Sequence, residues 1–189
     1  MKISSTPFQN LVTLSANIIT DERGYFCEAW NLRNLALEEV DLNFVQENVS
    51  YNRNVGVLRG LHCQAPKHAQ AKLIRCCKGH IFDVAVDIRT GSPSFGKWFG
   101  IDLTEENNIQ LLVPIGFLHG YVTRSSESEV IYCCSDYYNA DSEIAVNFAD
   151  TSINIDWGLP LSQVIVSEKD RKAQPFSSFE SPFQYMGST

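Results

Sequence analysis

The sequence predicts an all-β fold, a double-sheet sandwich or a closed barrel. Short apolar runs that alternate with polar residues recur along most of the chain, at a spacing of roughly 8–12 residues. Turn residues separate them: Gly24, Gly56, Gly79, Gly91-Ser92-Pro93, Pro114 and Gly116. Helical periodicity is confined to two short segments. In chain order, Asp21-Glu22-Arg23-Gly24 reads as a turn entering a strand, and residues 32–40 have the spacing of about two helical turns. Strands are predicted over residues 44–50, 71–75, 81–88, 97–103, 110–113, 120–123 and 130–134, and one helical turn over 167–172. Pro175, Pro182 and several serines predict a C-terminal tail, from about residue 171, that wraps over the surface.

The 189 residues, 44% of them hydrophobic, suffice for one ordinary core, so residues 1–189 are read as a single domain. The formal net charge of −7 disfavours nucleic acid and anionic membranes as partners. Met1-Lys2-Ile3-Ser4-Ser5 has no apolar signal-peptide region, and no apolar run approaches the ~18 residues of a membrane span, which predicts a cytoplasmic protein. Six cysteines stand at positions 27, 63, 76, 77, 133 and 134, without a CxxC spacing. Neighbours on a strand point to opposite faces, so the two adjacent pairs are poor chelators and free buried thiols are expected.

Strand alternation also sorts the chemistry-bearing side chains. Lys72, Ile74 and Cys76 share a face, as do Phe117, His119 and Tyr121, and as do Tyr132 and Cys134. With Lys72, His119 and Tyr132 inward, the interior is polar at one end and forms a ligand cavity. Arg59-Gly60-Leu61-His62 places an imidazole near two cations, Arg59 and Lys72. Such a group can remove a proton from carbon and hold the resulting anion, or simply bind an anion. Each residue also has a plainer reading. His62 fits a satisfied core histidine, Lys72 an outward lysine and Tyr132 a packing aromatic. Arg23 and Arg59 fit surface ion pairs, and Asp170 a helix-start residue.

Pro114-Ile115-Gly116-Phe117-Leu118-His119 is similar to the second cupin motif, P-x-G-x-x-H. The first cupin motif lacks its metal pair here, because H-x-H has become His62-Cys63-Gln64, and Gln is a poor ligand for metals that favour imidazole.

Longer blocks carry a more specific resemblance. They are Asp21-Glu22-Arg23-Gly24-Tyr25-Phe26, Gln46-Glu47-Asn48-Val49-Ser50, Val57-Leu58-Arg59-Gly60-Leu61-His62 and Gln70-Ala71-Lys72-Leu73-Ile74-Arg75. Residues 82–89, Ser92-Pro93-Ser94-Phe95-Gly96, residues 114–120 and Ser167-Glu168-Lys169-Asp170 complete them. Together, from about Phe8 to Tyr185, the chain resembles the dTDP-4-dehydrorhamnose 3,5-epimerase family. The resemblance implies a cupin-type jelly roll, or double-stranded β-helix, with a few short helices. It implies a homodimer with N-terminal strands at the interface, and no metal or organic cofactor. The implied substrate is a nucleotide-linked 4-keto-6-deoxy sugar, typically dTDP-4-dehydro-6-deoxy-D-glucose. The implied product is dTDP-4-dehydro-L-rhamnose, an intermediate in surface-polysaccharide synthesis.

By the same resemblance, His62 takes the proton, Asp170 holds the imidazole, Lys72 faces the enolate oxygen and Tyr132 returns a proton on the opposite face. Arg23, Arg59 and Lys169 correspond to diphosphate and sugar contacts. Phe26, Glu28, Gln46, Glu47, Asn48 and Tyr138 correspond to nucleotide-side and neighbouring substrate contacts, and His119 and Glu143 line the sugar pocket. Some of these act across the dimer in the family. Cys63, Ile115 and Phe148-Ala149-Asp150 depart from the family pattern and bear on substrate choice. Relatives that epimerise only C3 or only C5, on dTDP-, CDP- or GDP-linked sugars, define the alternative function. A metal-dependent cupin and a non-catalytic nucleotide-sugar binding module are the alternatives of another class.

Overall fold

A computed structural model describes residues 1–37 and 42–187. Among these, the strands are β1 (Lys2–Ser5), β2 (Val12–Ser15), β3 (Ile18–Asp21), β4 (Gly24–Cys27), β5 (Gln46–Asn52), β6 (Leu58–Gln64) and β7 (Lys72–Lys78). They continue with β8 (His80–Asp87), β9 (Trp98–Thr104), β10 (Ile109–Val113), β11 (Phe117–Thr123), β12 (Ser128–Cys134) and β13 (Glu143–Ala145). Two short α-helices, α1 (Leu32–Leu37) and α2 (Glu168–Arg171), interrupt the pattern. The expected helix over 32–40 is α1 in its first part; residues 38–40 lie outside the described residues. Among the described residues, no helix is long and apolar enough to cross a membrane.

A six-stranded sheet runs β1-β2-β10-β7-β12-β5 and a five-stranded sheet runs β13-β6-β11-β8-β9, with β3-β4 as a separate hairpin. The pairings within all three are antiparallel. Two such sheets face to face bury one side of each against the other, the double-sheet arrangement of a jelly roll. Ile74, Ile81, Leu103, Leu111, Val113, Phe117 and Val130 fill the space between them. Their sequence positions obey the period of two that predicted the strands.

Both outer faces are covered as well. Leu58, Leu61, Val84, Val86, Leu118 and Val122 leave the five-stranded sheet on its far side and pack with Val146, Phe148, Ile153, Trp157 and Phe183 from the C-terminal third. Trp157 Nε1 donates to the Phe148 carbonyl at 2.9 Å, which satisfies the indole inside this cluster. On the far side of the six-stranded sheet, Leu14, Leu73, Leu112 and Cys133 meet Leu35 of α1. Coverage on both faces is why β11 reads as a nearly continuous buried run rather than an alternating one. The C-terminal segment is held by Tyr185 N donating to Thr90 O at 3.0 Å and by bridges Thr90–Gln184 and Val146–Gln174. All six cysteines are free; four are buried, whereas Cys27 and Cys77 are half-buried rather than fully inside.

One irregularity positions the site. β6 and β11 pair His62 with His119, yet two residues further along β11 Tyr121 pairs with Arg59, three residues back on β6. The extra residue is a bulge, and it falls at Gly60-Leu61. A bulge resets the alternation, so Arg59 and His62 both face the inter-sheet space while Leu58, Leu61 and Cys63 enter the outer cluster. This broken period is why residues 58–64 do not read as a strand in the sequence. The strands cross closely here. A Cβ on Gly60 (φ +121) would stand 2.6 Å from Gly120 Cα and 2.7 Å from His119 O.

Gly24 has nearly the same φ, +123, with nothing near its would-be Cβ, so the pair separates crowding from backbone strain. Gly24→Ala is expected to lose about 1–2 kcal/mol from conformation alone. Gly60→Ala adds overpacking and is expected to lose about 3 kcal/mol or more. Urea unfolding of both variants checks this; equal losses would refute the crowding.

Candidate active site

A cavity of about 700 Å³ opens between the sheets. Arg59, His62, His119 and Tyr121 line it from the five-stranded sheet, Ser50, Lys72 and Tyr132 from the six-stranded sheet, and Ser167, Lys169 and Asp170 from the α2 region. A smaller lobe of about 290 Å³ adjoins it, lined by Gln46, Asn48, Gln64, Gln70, Tyr138 and Glu143. His62, Lys72 and Tyr132 line both lobes and stand where they meet.

His62 Nε2 is 2.6 Å from Asp170 Oδ1. Asp170 reaches it because α2 starts beside β6: Ser167 caps the helix by accepting from Asp170 N at 3.1 Å. The bulge contributes too, since Gly60 N donates to Asp170 Oδ2 at 3.5 Å. Burial alone would raise the Asp170 carboxyl, but the bond and charge of His62 and the Gly60 N–H hold it below the usual carboxylate value. An ionised Asp170 accepts from Nε2–H and leaves His62 Nδ1 without a protein partner among the described residues, with a lone pair that can accept a proton.

Lys72 comes from the facing sheet, paired across β7 and β12 with Cys134. Among the described residues it forms no ion pair. Burial pushes its ammonium below the ordinary lysine value, and Cys134, Cys63, Glu143 and Asp83 counter only part of that shift. The Tyr132 hydroxyl also has no hydrogen-bond partner among the described residues. Burial raises it, so it stays protonated as a donor. A base on one sheet opposes a cation and a proton donor on the other. Such a set can remove a proton from carbon, stabilise the anion and return a proton from a second direction.

The remaining candidates divide sharply. Arg59 Nε donates to Asn52 Oδ1 at 2.9 Å, which fixes its guanidinium at the cavity mouth. His119 is buried, with Nε2 2.7 Å from Asp83 Oδ1. Gln46, Asn48, Tyr138, Glu143 and Lys169 form one chain. Gln46 Nε2 donates to Asn48 at 3.0 Å and Tyr138 N to Gln46 Oε1 at 2.9 Å. Tyr138 Oη and Lys169 Nζ both donate to Glu143, at 2.9 and 2.5 Å.

Glu47 is set apart by strand parity: it lies on the opposite face of β5 from Gln46 and Asn48, beside the Cys133 thiol at 3.6 Å. Arg23, Phe26 and Glu28 line neither lobe. They belong to or follow the β3-β4 hairpin, where Arg23 pairs with Asp21 at 2.5 Å and Phe26 is 70% exposed.

Residues with no role implied by the sequence also converge here. Tyr121 Oη bonds Ser50 Oγ at 2.9 Å and braces the Asn52 that holds Arg59. Asp83 is an acid inside the apolar strand 80–87, the same signal that singled out Lys72. The departures from the family pattern lie mostly elsewhere. Ile115 is exposed and Phe148 belongs to the outer cluster. Cys63 packs in that cluster while bordering the smaller lobe, its thiol pushed up to about 12 by burial.

Residues 5–178 match the family model described as dTDP-4-dehydrorhamnose 3,5-epimerase. The chain is 41% identical to the dTDP-4-dehydrorhamnose 3,5-epimerase of Shigella flexneri over 93% of this chain and 96% of the relative. The crystal structure of such an epimerase from Elizabethkingia anophelis NUHP1 superposes with a TM-score of 0.88 at 45% identity, covering 94% of this chain and 97% of the other. The dTDP-6-deoxy-D-glucose-3,5-epimerase of Legionella pneumophila Philadelphia 1, solved with dTDP-4-keto-L-rhamnose, superposes with a TM-score of 0.92 at 38% identity, covering 98% and 99%.

The electrostatics of Lys72 carry a stability consequence. A lysine whose folded value lies below its unfolded value costs stability at neutral pH, and the cost is relieved as pH rises through the folded value. Lys72→Met is therefore expected to raise the urea midpoint at pH 7 while abolishing turnover, with a smaller gain at pH 10. An unchanged or lower midpoint at pH 7 would rule out the burial cost.

Proposed function

Because the chain belongs to the dTDP-4-dehydrorhamnose 3,5-epimerase family, we propose that it inverts C3 and C5 of dTDP-4-dehydro-6-deoxy-D-glucose to give dTDP-4-dehydro-L-rhamnose. The observation that carries this reading is the 2.6 Å His62–Asp170 pair facing Lys72 and Tyr132 across one cavity.

The substrate's C4 ketone acidifies the hydrogens at C3 and C5, since the carbanion delocalises onto oxygen. His62 Nδ1 removes the proton, and ionised Asp170 stabilises the imidazolium. The charge then develops on O4, where Lys72 Nζ meets it. A cation already in place inside a poorly hydrated pocket stabilises that charge without reorganisation. Tyr132, kept protonated by burial, delivers a proton to the other face, which inverts the centre. The ketone supplies the electron sink, so base, cation and acid account for both inversions. Arg59 and Lys169 hold the diphosphate, and Gln46, Asn48 and Tyr138 hold the nucleotide side. These cations oppose the −7 formal charge of the whole chain at the place where an anionic substrate enters.

A homodimer completes the reading. The β3-β4 hairpin projects Ile19, Tyr25 and Phe26, each at least 60% exposed, and pairs with no other strand among the described residues. Exposed apolar groups concentrated on one arm suit insertion into a partner. The arm then delivers Arg23, Phe26 and Glu28 to the neighbouring cavity.

Turnover of dTDP-4-dehydro-6-deoxy-D-glucose in D₂O, followed by NMR, is expected to place deuterium at both C3 and C5. Label at one carbon makes the protein a mono-epimerase, and no label from folded protein removes this substrate. His62→Ala is expected to lose roughly 10³-fold in rate with dTDP binding retained. Tyr132→Phe is expected to keep proton exchange through His62 while losing inversion. Mixing inactive His62→Ala with inactive Arg23→Ala is expected to regenerate activity in heterodimers. That complementation fails if Arg23 serves its own chain.

A further inference from the structure

We propose that Gln64 is a positioning residue for the nucleotide side of the substrate: with Gln46 it clamps residues 135–142 beside the smaller lobe and so fixes where Tyr138 stands. The proposal rests on the epimerase reading for the role of Tyr138 and deepens it.

Residues 135–142 connect β12 to β13 and are anchored at both ends. Ser135 N donates to Ala71 O at 3.0 Å, and Gln70 Nε2 donates to Asp136 O at 2.6 Å. At the other end, Ala65 N donates to Ser142 O at 2.7 Å. Two glutamines hold the middle, one from each sheet. Gln46 Oε1, on β5, accepts from Tyr138 N, and Gln64 Oε1, on β6, accepts from Asn139 N, both at 2.9 Å. Consecutive amides of one segment therefore tie the two sheets together at the smaller lobe.

The register of β6 places Gln64 for this task. It follows His62 by two residues and so shares its face of the strand. It pairs directly with Glu143 of β13, is 3% exposed and lines the smaller lobe. A bond this buried holds its donor firmly, because neither group has water as an alternative partner. Glu143 in turn accepts from Tyr138 Oη at 2.9 Å. Tyr138 is thus held at its amide by Gln46, at its phenol by Glu143 and through the next peptide by Gln64. The residue is 55% exposed, so packing alone does not fix it and these hydrogen bonds carry its placement. Where the first cupin motif would offer a second imidazole, this chain offers an acceptor to its own backbone.

Amide hydrogen exchange, followed by NMR in protein free of nucleotide and sugar, reads the clamp by itself. The Tyr138 and Asn139 amides are expected to exchange slowly. Gln64→Leu removes the acceptor and is expected to speed Asn139 exchange about fivefold or more, with Ser135 unchanged. Gln64→Glu keeps an acceptor and is expected to restore slow exchange. Gln64→Leu is also expected to weaken dTDP binding and raise KM about fivefold or more, with kcat kept within about twofold. Gln64→Met serves if Gln64→Leu does not fold. Unchanged Asn139 exchange in a folded variant overturns the clamp. A fall in kcat with dTDP affinity unaltered overturns the nucleotide-side role and places Gln64 at the sugar. If the unaltered protein binds no dTDP, the epimerase reading fails, while the exchange rates still decide the clamp.

Discussion

Much of this molecule's chemistry depends on a crossing of two strands at their glycines. Gly60 on β6 meets Gly120 on β11 closely enough that neither position has room for a Cβ. The bulge there sets three residues of β6 against two of β11. Without it, Arg59 and His62 would fall on opposite faces of the sheet, and either the guanidinium or the imidazole would leave the cavity. With it, both point inward and Leu58, Leu61 and Cys63 still fill the outer cluster. The same distortion turns the Gly60 N–H toward Asp170, so one local irregularity orients the base and helps hold its partner.

The inter-sheet space is divided between two uses. Ile74, Leu111 and Phe117 make one part an ordinary close-packed core. Lys72, Tyr132, His62 and His119 make the adjoining part a polar cavity on the same strands. The polar groups there are either committed to a neighbour, as His62, His119 and Glu143 are, or left open toward the cavity, as Lys72 and Tyr132 are. The uncommitted groups are the ones a substrate can engage, which fits the general tendency of active sites to hold imperfectly satisfied groups.

Alternation made the double-sheet fold legible, because β7, β8, β10 and β12 obey a period of two. It also placed Lys72, His119 and Tyr132 on shared faces. β6 escaped for a physical reason: its bulge breaks the period at the most chemically important residues. The pairing of His62 with Asp170 spans 108 positions and depends on a four-residue helix, so no local pattern announces it. Family resemblance supplied that pair and the other site residues. It also named Glu47, which strand parity sends to the other face from Gln46 and Asn48. Asp83 carries the same signal as Lys72, a charge inside an apolar strand, and it stands in the 82–89 block of the resemblance, which implies no role for it.

His62 hangs from one sheet, and Lys72 and Tyr132 from the other. No covalent or hydrogen-bonded element joins those three directly, so the distance between base and acid is the thickness of the sandwich itself. The hydrophobic layer is therefore a spacer as well as a source of stability. A methylene removed from Ile74 or Leu111 lets the sheets settle, and misplacement by about 1 Å is enough to cost roughly 10²-fold in rate. Core residues that never approach the sugar thus have a tolerance set by reaction geometry, narrower than folding alone would demand.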